Sequence, residues 1–445
     1  MIAKVIYQLV SAAIAFLLGL FLLACLQERE RRASLLALTI LIVYLSLSGF
    51  INHQAQSLPA LYFIIDIFYL IAALSLLLPL SRYRSGTLID SAQQYDERDI
   101  MFARARYMPG TDAYRDYYHR HADKKKTDDA IRALPALLSP GGKFYDPIAC
   151  TQAEQTFLLI ENLLHLAEGT ASEKKISIEP ERATKNVKEM ARSFGAVDVG
   201  ITTLKQSRVY SHVGRGPDGY GTPIRLSHKF VIVFAVEMDF DIMATAPRAP
   251  VITESSKRYL QASLIAIWLA SYIRGLGHRA RAHIDMNYQL ILPAVAADAG
   301  LGETGRLGLL IHPRYGPRIR LAAVSTDLPL IADKPISFGV QAFCGDCKKC
   351  ALNCPAGAIS FGDRKMVRDV LKWSSNQEAC YRYWRQAGTD CGMCIRVCPY
   401  SRPDTIVHNI VRLTAKNSPL GRKLAIAGDG LFYGKKILAA EDKIT

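Results

Sequence analysis

The N-terminal part of the chain alternates long apolar runs with short polar gaps. Apolar residues fill the segments from Val5 to Leu26, from Ala33 to Ile51 and from Leu61 to Leu80. Each run approaches the ~20 residues that an α-helix needs to cross a bilayer. A cleavable signal peptide has one short apolar core, so successive long runs do not fit it. The pattern predicts a membrane anchor of three transmembrane helices in residues 1–82, with a buried soluble helical hairpin as the alternative.

The charges between these runs predict the orientation of the anchor, because short loops rich in Lys and Arg stay in the cytoplasm. The first gap contains three arginines and two more follow the third run, whereas residues 52–59 include no Lys or Arg. We therefore expect everything after residue 82 to face the cytoplasm, although Lys4 weakly favours the reverse. No twin-arginine pair precedes the first run. These features predict a self-anchored, multi-pass protein of the cytoplasmic membrane.

The next segment, 83–178, is polar and rich in Tyr and Arg, with Pro-Gly pairs such as Pro109-Gly110. Such punctuation is typical of turns and loops. We interpret it as a surface extension that joins the anchor to a domain and ends in a helix from Thr151 to Ala167. The run from Lys124 to Lys126 indicates a solvated face or a contact with acidic lipid headgroups more than a nucleic-acid patch.

Residues 179–337 have the pattern of an α/β domain. Phe230 to Glu237 is apolar and rich in β-forming residues, which predicts a buried strand. The segment from Ser255 to Leu276 predicts a long helix, and its polar residues favour a core helix over a fourth membrane span. A helix is also expected over 185–194 and a strand over 196–201.

The stretch from Ala299 to Leu330 predicts a loop-rich segment. Glycines at 300, 302, 305 and 308 free the backbone for close approach to a neighbour. Arginines at 306, 314, 318 and 320 predict a cationic lining. A dinucleotide site is disfavoured, because its GxGxxG motif should follow a strand and this one follows a helix-like segment. A turn-rich connector remains the alternative.

Net charge and the placement of the cysteines narrow the class of protein. The chain of 445 residues has 55 Lys and Arg against 40 Asp and Glu, a net charge of +15. That excess suits nucleic acid or an anionic membrane surface. Eight of the 10 cysteines lie between Cys344 and Cys398, while Cys25 and Cys150 stand alone. This crowding indicates metal ligation and excludes a disulfide scaffold, which would spread its cysteines along a small secreted domain.

The cysteine spacing is specific. The run Cys344-x2-Cys347-x2-Cys350-x3-Cys354-Pro355 has the bacterial ferredoxin spacing. A second run, Cys391-x2-Cys394-x3-Cys398-Pro399, lacks one ligand, which Cys380 can replace. In two-cluster ferredoxins the fourth Cys of a run ligates the other cluster. Residues 338–445 therefore predict a ferredoxin-like double [4Fe–4S] domain and a C-terminal tail, with zinc as the main alternative. The predicted ligand sets are Cys344, Cys347, Cys350 and Cys398 for one cluster, and Cys354, Cys380, Cys391 and Cys394 for the other.

Together these features resemble the catalytic subunit of corrinoid-dependent reductive dehalogenases over roughly residues 95–405. The likeness is carried by the loop AGLGETGRLGLLIHPRYGPRIRL, by TDLPL at 326–330, by DKPISFG at 333–339 and by both cysteine runs. DYYHRH at 116–121 and EMDFD at 237–241 also fit. Epoxyqueuosine reductase, a tRNA-modifying enzyme, is a more distant relative with the same cofactor layout.

The resemblance implies an α+β protein with a nitroreductase-like α/β core. The core would hold a base-off cobamide without the D-x-H-x-x-G segment, and that segment does not occur here. Corrinoid contacts are expected from Gly300, Gly302, Glu303 and Arg306.

In the family a tyrosine donates a proton and an adjacent Arg or Lys lowers its pKa. We expect Tyr220 with Arg279 and Arg281 in these roles, with Tyr210 and Tyr288 as alternatives. His283 could relay protons or be structural.

Three functions follow from these observations. The first is a membrane-anchored cobamide- and iron–sulfur-dependent reductase that removes halide from an organohalide, with electrons from a quinol, ferredoxin or flavodoxin. The second is an iron–sulfur electron-transfer protein linked to the quinone pool. The third, tRNA modification, is disfavoured because no aromatic-interleaved basic stripe is present. We therefore expect a small-molecule substrate and membrane lipid as partners, and no nucleic acid.

Overall fold

The computed structural model describes residues 2–55, 60–79, 93–368 and 370–437. The α-helices are α1 (Ile2–Gln27), α2 (Arg31–Gln54), α3 (Ala60–Leu77), α4 (Met101–Arg104), α5 (Asp112–Arg120), α6 (Ala122–Arg132), α7 (Pro147–Leu163), α8 (Pro180–Ser193), α9 (Phe240–Met243), α10 (Pro250–Gly275), α11 (Leu292–Asp298), α12 (Val340–Cys347), α13 (Lys349–Leu352), α14 (Gln377–Ala387), α15 (Met393–Arg396), α16 (Ile406–Asn417) and α17 (Pro419–Tyr433). The strands are β1 (Asp198–Thr203), β2 (Phe230–Glu237), β3 (Ala280–His283), β4 (Glu303–Thr304), β5 (Leu310–Ile311), β6 (Ile319–Thr326), β7 (Lys365–Val367) and β8 (Val370–Lys372).

The chain forms two compact units. The first unit comprises Met1–Tyr83, Phe338–Cys347 and Arg402–Ile437, and the second comprises Arg84–Ser337, Lys348–Ser401 and Leu438–Thr445. This grouping differs from the boundaries expected from sequence, which put all of residues 338–445 in one domain. Here the C-terminal helices join the apolar N-terminal helices instead.

Within the first unit, α1, α2 and α3 are each long and apolar enough to cross a membrane, with hydropathies of 2.7, 2.2 and 2.3. Little of their apolar surface is buried against protein. They match the three apolar runs of the sequence, although Leu80 lies outside the described residues. The long helix α10 is not among these spans and buries much of its length, which confirms its interpretation as a core helix.

The C-terminal helices α16 and α17 were expected only as a tail. In the first unit α16 packs on α1 and α3, and α17 packs on α2, α3 and α12. A buried carboxylate at the end of α1 fastens them. Glu28 accepts a hydrogen bond from Arg402 at 3.3 Å and pairs with His408 at 2.5 Å. Because a buried carboxylate without partners is costly, this pairing fixes α16 and the segment before it against the end of α1.

The second unit is built on a four-stranded antiparallel sheet with the order β1-β2-β6-β3. Strand β2 matches its sequence prediction at both ends. Its alternate residues Ile232 and Phe234 pack with α8 and α10, while Val231 and Val233 pack with α11 on the other face. A strand covered on both faces reads as a continuous apolar run, which explains why β2 was recognisable.

The central strand β6 corrects the sequence analysis, because its residues were assigned to a loop-rich stretch. The run Ile319–Thr326 pairs with both β2 and β3. Arg318 and Arg320 made this segment look polar, yet both point into the protein. Arg318 is 1% exposed and donates to Glu237 at 2.6 Å and to the Ser401 carbonyl at 3.1 Å. Paired arginines can be buried, whereas the residue type alone predicts exposure.

The predicted surface extension also has a structural role. Its helices α4 to α6 fold against α14, which carries Cys380. The buried Arg104 bonds Asp128 at 2.6 Å and Glu378 at 2.8 Å. Lys124 also pairs with Glu378, at 3.3 Å, so part of the lysine run belongs to this network. Further along, α7 and the 3₁₀ turn Leu164–Ala167 confirm the helix expected there.

Replacing the buried Arg318 should destabilise the second unit. Arg318→Met leaves Glu237 and the Ser401 carbonyl without their donor, and we expect a loss of about 3 kcal/mol in the free energy of unfolding. Thermal unfolding of detergent-solubilised protein measures this change. The matched control is Arg279→Met, because Arg279 is 63% exposed in its pair with Asp327. The control should change stability by no more than about 0.5 kcal/mol, and equal losses in both variants would contradict the argument.

Candidate functional site

Four cysteine thiols come together in the second unit. Cys380 lies on α14, Cys394 lies on α15, Cys391 lies just before α15 and Cys354 follows α13. Burial raises the pKa of Cys380 and of Cys394 to about 12, and neighbouring thiols add to both shifts. The pKa of Cys391 is also raised by burial and by the same neighbours. These four residues are one of the two ligand sets predicted from sequence.

Local structure prepares this thiol set for a cationic group. The backbone N–H of Ala358 donates to the Cys354 sulfur at 3.2 Å. Gly392, with φ +68, lets the chain turn between Cys391 and Cys394 where a side chain would collide with Val251. Four crowded thiolates shielded from water need compensating positive charge, which iron ions supply. The donor set therefore fits an iron–sulfur cluster.

Zinc is the alternative to an iron–sulfur cluster for a set of four cysteines. A zinc ion draws its four ligands to about 2.3 Å from one centre, whereas a cube of iron and sulfur spreads its ligands apart. The two groups therefore differ in the spacing that they impose on the thiols.

The other predicted ligand set does not lie within one unit. Cys344 and Cys347 are on α12 in the first unit, while Cys350 and Cys398 belong to the second unit. Their shared ligation of a cluster therefore stays a prediction. Cys25 is buried on α1 and Cys150 is buried on α7, and both are free thiols.

The glycine-rich loop that contains Gly300 and Gly302 packs closely against neighbouring segments of the protein. A side chain at Gly302 would lie 2.1 Å from the Ile311 carbonyl, and one at Gly300 would lie 2.6 Å from the Lys334 carbonyl. Glu303 is buried and accepts from Ser337 at 3.3 Å. Thus the close approach predicted for the glycines is made to neighbouring backbone.

Arg306 also has a protein-facing role. It donates to the carbonyls of Ser360 and Gly362 at 2.7 and 2.8 Å, and its guanidinium lies 4.7 Å from the Trp373 ring centre. These partners belong to the cysteine-rich segment. Arg306 therefore joins the loop to that segment, and the predicted cationic lining is not free at this position.

The residues predicted as catalytic bond mainly to other side chains, although Arg281 also pairs at 3.4 Å with Asp218, two residues before Tyr220. Tyr220 donates to Asp116 at 2.6 Å and accepts from Arg120 at 3.0 Å. Arg279 is exposed and pairs with Asp327, while the buried Arg281 bonds Glu168 and Asn287. No hydrogen bond within the described chain joins Tyr220 to Arg279 or Arg281. Sequence proximity suggested this grouping, and the fold gives each residue other partners.

A different tyrosine lies beside an arginine inside the second unit. Tyr259 on α10 faces Arg320 on β6, with the guanidinium 4.9 Å from the ring centre. Burial raises the pKa of Tyr259, and the charge of Arg320 opposes that shift. The side chain nevertheless keeps some accessible surface, and its hydroxyl has no hydrogen bond to any described residue. The phenol therefore holds its proton.

Arg320 connects this phenol to the cysteine segment. Its Nη2 donates to Ser255 at 2.7 Å and to Asp390 at 3.3 Å, and Asp390 directly precedes Cys391. Ser255 in turn donates to Asp390. Tyr259 is thus linked to the segment of Cys391 through two contacts, one with Arg320 and one between Arg320 and Asp390.

Two further groups border the same region. Arg215 hydrogen-bonds the Tyr288 hydroxyl, and burial raises the pKa of Tyr288 to about 12. Burial also raises the pKa of Asp285, against the opposing charge of Arg215. Asp285 interacts electrostatically with Tyr259. Tyr288 was an alternative from sequence and Arg320 was expected in a cationic lining, whereas Tyr259 and Asp285 were missed because nothing local marks them.

His283 lies in a buried polar chain. Its Nε2 pairs with Ser325 at 2.8 Å, and Ser325 also pairs with Nδ1 of His228 at 2.8 Å. Burial holds the pKa of His283 well below its ordinary range. A neutral histidine with both ring nitrogens engaged suits a structural role in the sheet, which was the alternative interpretation.

Comparison with known proteins places this geometry in context. A family model described as a 4Fe-4S dicluster domain matches residues 343–401. A tetrachloroethene reductive dehalogenase of Sulfurospirillum multivorans is 32% identical over 293 residues, which are 58% of this chain and 58% of that protein. The chain is thus similar in sequence to reductive dehalogenases over more than half of its length.

Solved structures support this homology. A reductive dehalogenase structure described as suggesting a mechanism for B12-dependent dehalogenation matches 80% of the chain and 49% of its own length, with a TM-score of 0.64 and 26% identity. An epoxyqueuosine reductase of Lactococcus garvieae is 32% identical over 26% of the chain and 36% of its own length, which confirms the distant relative. The chain spans 58% of the length of the Sulfurospirillum multivorans protein. It spans 51% of the length of a tetrachloroethene reductive dehalogenase of Dehalobacter restrictus.

Removing one member of the set of Cys354, Cys380, Cys391 and Cys394 should remove one cluster from the protein. Cys380→Ser is expected to lower iron from about eight to about four atoms per chain, because a [4Fe–4S] cube needs four thiolates. Iron and acid-labile sulfide analysis of anaerobically purified protein measures the change. Cys150→Ser, at a buried cysteine outside both sets, should keep the full iron content. Unchanged iron in Cys380→Ser would contradict the assignment.

Proposed function

We propose that the protein is a membrane-anchored cobamide- and iron–sulfur-dependent reductase that dehalogenates an organohalide. The observation that carries the proposal is Tyr259 beside Arg320, which is joined through Asp390 to the segment of Cys391 and Cys394. A proton donor and a candidate electron carrier thereby lie in one unit. The homology to tetrachloroethene reductive dehalogenases supports this class of reaction.

The reaction consumes two electrons and one proton. The carbon–halogen bond breaks, a carbon–hydrogen bond forms and the halide leaves as an anion. A bound cobamide would supply the low-valent cobalt that delivers these electrons to the carbon–halogen bond. In this proposal Tyr259, Asp285 and Arg215 would line the cobamide site, and the corrinoid contacts expected from Gly300, Gly302, Glu303 and Arg306 stay a prediction. The nitroreductase-like core and the base-off state are implied by the resemblance.

Tyr259 is proposed as the proton donor. A phenol raised in pKa by burial is protonated at neutral pH and can release its proton only as the substrate carbon gains negative charge. Arg320 then stabilises the phenolate with its fixed charge. Ser255 and Asp390 hold the guanidinium in place, so Arg320 does not need to reorganise during the transfer.

Electrons are proposed to enter from the membrane side. The helix α12, with Cys344 and Cys347, belongs to the unit that contains α1, α2 and α3. The cluster predicted for Cys344, Cys347, Cys350 and Cys398 would take electrons first, from a quinol, ferredoxin or flavodoxin, and pass them to the cluster of the other four cysteines. The arginines between the apolar runs support a domain that faces the cytoplasm.

The same grouping favours a second candidate function, an electron-transfer protein linked to the quinone pool. Such a carrier needs α12 beside the membrane helices and both thiol sets. It has no need of the Tyr259–Arg320 pair in a second unit with its own sheet. The reductase therefore accounts for more of the chain.

The deciding experiment is a visible spectrum of anaerobically purified protein, followed by oxidation of reduced methyl viologen with tetrachloroethene. The reductase predicts corrinoid and iron–sulfur bands together, with halide released as the viologen is oxidised. A protein with clusters that binds no corrinoid after reconstitution would contradict the proposal. Cluster reduction by a quinol without halide release would support the carrier instead.

Removing the phenol hydroxyl should block proton transfer while leaving the cofactors in place. Tyr259→Phe is expected to lower dehalogenation by about 100-fold, the usual size of a lost acid–base contribution. Corrinoid and iron content are measured alongside turnover to confirm an intact holoenzyme. Tyr220→Phe, at the partly exposed tyrosine bound to Asp116, is the matched control and should keep nearly full activity. Equal activity in both variants would exclude Tyr259 as the donor.

The pH dependence of the dehalogenation rate should also reflect the raised pKa of Tyr259. Because burial raises the pKa of Tyr259, the phenol stays protonated beyond the ordinary tyrosine value of about 10. Turnover should therefore not fall between about pH 7 and 9 through loss of this proton. Steady-state rates across this range test the expectation. A decline in that range that disappears in Tyr259→Phe would show a lowered pKa and overturn it.

A further inference from the structure

The helix α17 presents a continuous apolar stripe on its outer side. Leu420, Leu424 and Leu431 are 49%, 53% and 50% exposed, and Ala427 is exposed between them. Their positions follow the spacing i, i+4, i+7 and i+11, which places them along one face of a helix. Soluble proteins rarely leave such a stripe facing water.

The preceding helix α16 has a similar stripe. Ile406, Ile410 and Leu413 are 65%, 36% and 46% exposed and follow the spacing i, i+4 and i+7. The opposite side of α16 contributes the buried His408 and Ala415 to the first unit. The helices α16 and α17 form a helical hairpin at residues 406–433. Both are therefore apolar on the side that faces away from the protein.

The contacts on the inner side of the hairpin fix its level along the apolar helices. Phe432 of α17 packs edge-to-face on Phe21 of α1, with ring centres 4.8 Å apart. Phe21 lies almost two turns, ~9 Å, inside the end of α1. At the junction of the hairpin, Asn417 donates to the carbonyl of Leu77, the last residue of α3, at 2.9 Å. The hairpin thus reaches from the end of α3 to positions inside the apolar run of α1.

The charges of the hairpin suit a lipid surface. Lys416, Lys423, Lys435 and Lys436 are exposed, and Asp429 is the acidic residue between positions 405 and 437 of the sequence. Long basic side chains can lay their stems along apolar surface and place their charge among anionic headgroups. The first gap between apolar runs, at the same end of α1, adds three further arginines.

We propose that α16 and α17 form an interfacial hairpin whose apolar stripes are embedded in the lipid bilayer beside α1, α2 and α3. The exposed apolar surface of α1, α2 and α3 continues onto the hairpin at the level of Phe21. The molecules that cover the stripes are therefore lipids. The proposal rests on the membrane anchor of the proposed function.

The hairpin also holds a helix of the cysteine module. Arg422 of α17 pairs with Asp346 of α12 at 3.2 Å, one residue before Cys347. Since α17 packs on α12, embedding the hairpin keeps Cys344 and Cys347 within the membrane-bound unit. The contact gives the C-terminal helices a role that the cysteine spacing alone does not assign.

Photo-crosslinking to lipid tests the hairpin in the full-length holoprotein. A benzoylphenylalanine residue is placed at Leu424, the protein is reconstituted into vesicles of phosphatidylcholine and phosphatidylglycerol, and intact mass reveals lipid adducts after irradiation. The same substitution at Phe16, 66% exposed in the middle of α1, reports insertion of the anchor. Substitution at Phe194, 50% exposed in the second unit, is the control away from the apolar helices.

We expect lipid adducts at Leu424 with a yield within about threefold of that at Phe16, and at least tenfold above that at Phe194. Adducts at Phe16 without adducts at Leu424 would overturn the hairpin while leaving the anchor intact. Protein–protein crosslinks at Leu424 in place of lipid adducts would show a second copy or another protein on the stripe and would also overturn it. Absence of adducts at both positions would refute the anchor, and the hairpin with it.

Discussion

The guanidinium of Arg320 joins three parts of the second unit that are distant in sequence. It extends from the central strand β6, faces the Tyr259 ring on α10 and bonds Asp390 beside Cys391. A buried guanidinium needs acceptors for its donors, so strand, helix and cysteine segment are held in one arrangement. That arrangement gives the proposed proton donor a fixed positive neighbour and a short path to the proposed electron carrier. The sheet, the long core helix and the cysteine module therefore serve one site.

Buried carboxylates with basic partners act similarly elsewhere. Glu28 holds Arg402 and His408 in the first unit, while Asp128 and Glu378 hold Arg104 in the second. In each case a segment that looks like a linker or a tail in sequence becomes fixed structure. The extension thus supports the helix of Cys380, and the C-terminal helices join the unit of α1, α2 and α3.

The sequence predicted the elements whose signal is local. The apolar runs gave α1, α2 and α3, and the continuous apolar run Phe230–Glu237 gave β2 without error. The same reasoning missed β3 and β6, because Arg281, His283 and Arg320 suggest exposure and only their partners reveal that they are buried. The cysteine spacing identified one thiol set that the structure brings together. It could not identify Tyr259, since among 21 tyrosines nothing in the neighbouring residues distinguishes the one that faces an arginine.

Sequence by itself thus determined the membrane-length helices, the dicluster module and the resemblance to reductive dehalogenases, because each rests on spacing within a short stretch of chain. Tertiary structure decided which tyrosine meets which arginine, which cysteines share a unit, and where the C-terminal helices lie. These features depend on pairings between distant segments. A buried, paired arginine and an exposed one cannot be told apart by residue type. Only the fold distinguishes them, because it decides whether an acceptor lies beside the guanidinium.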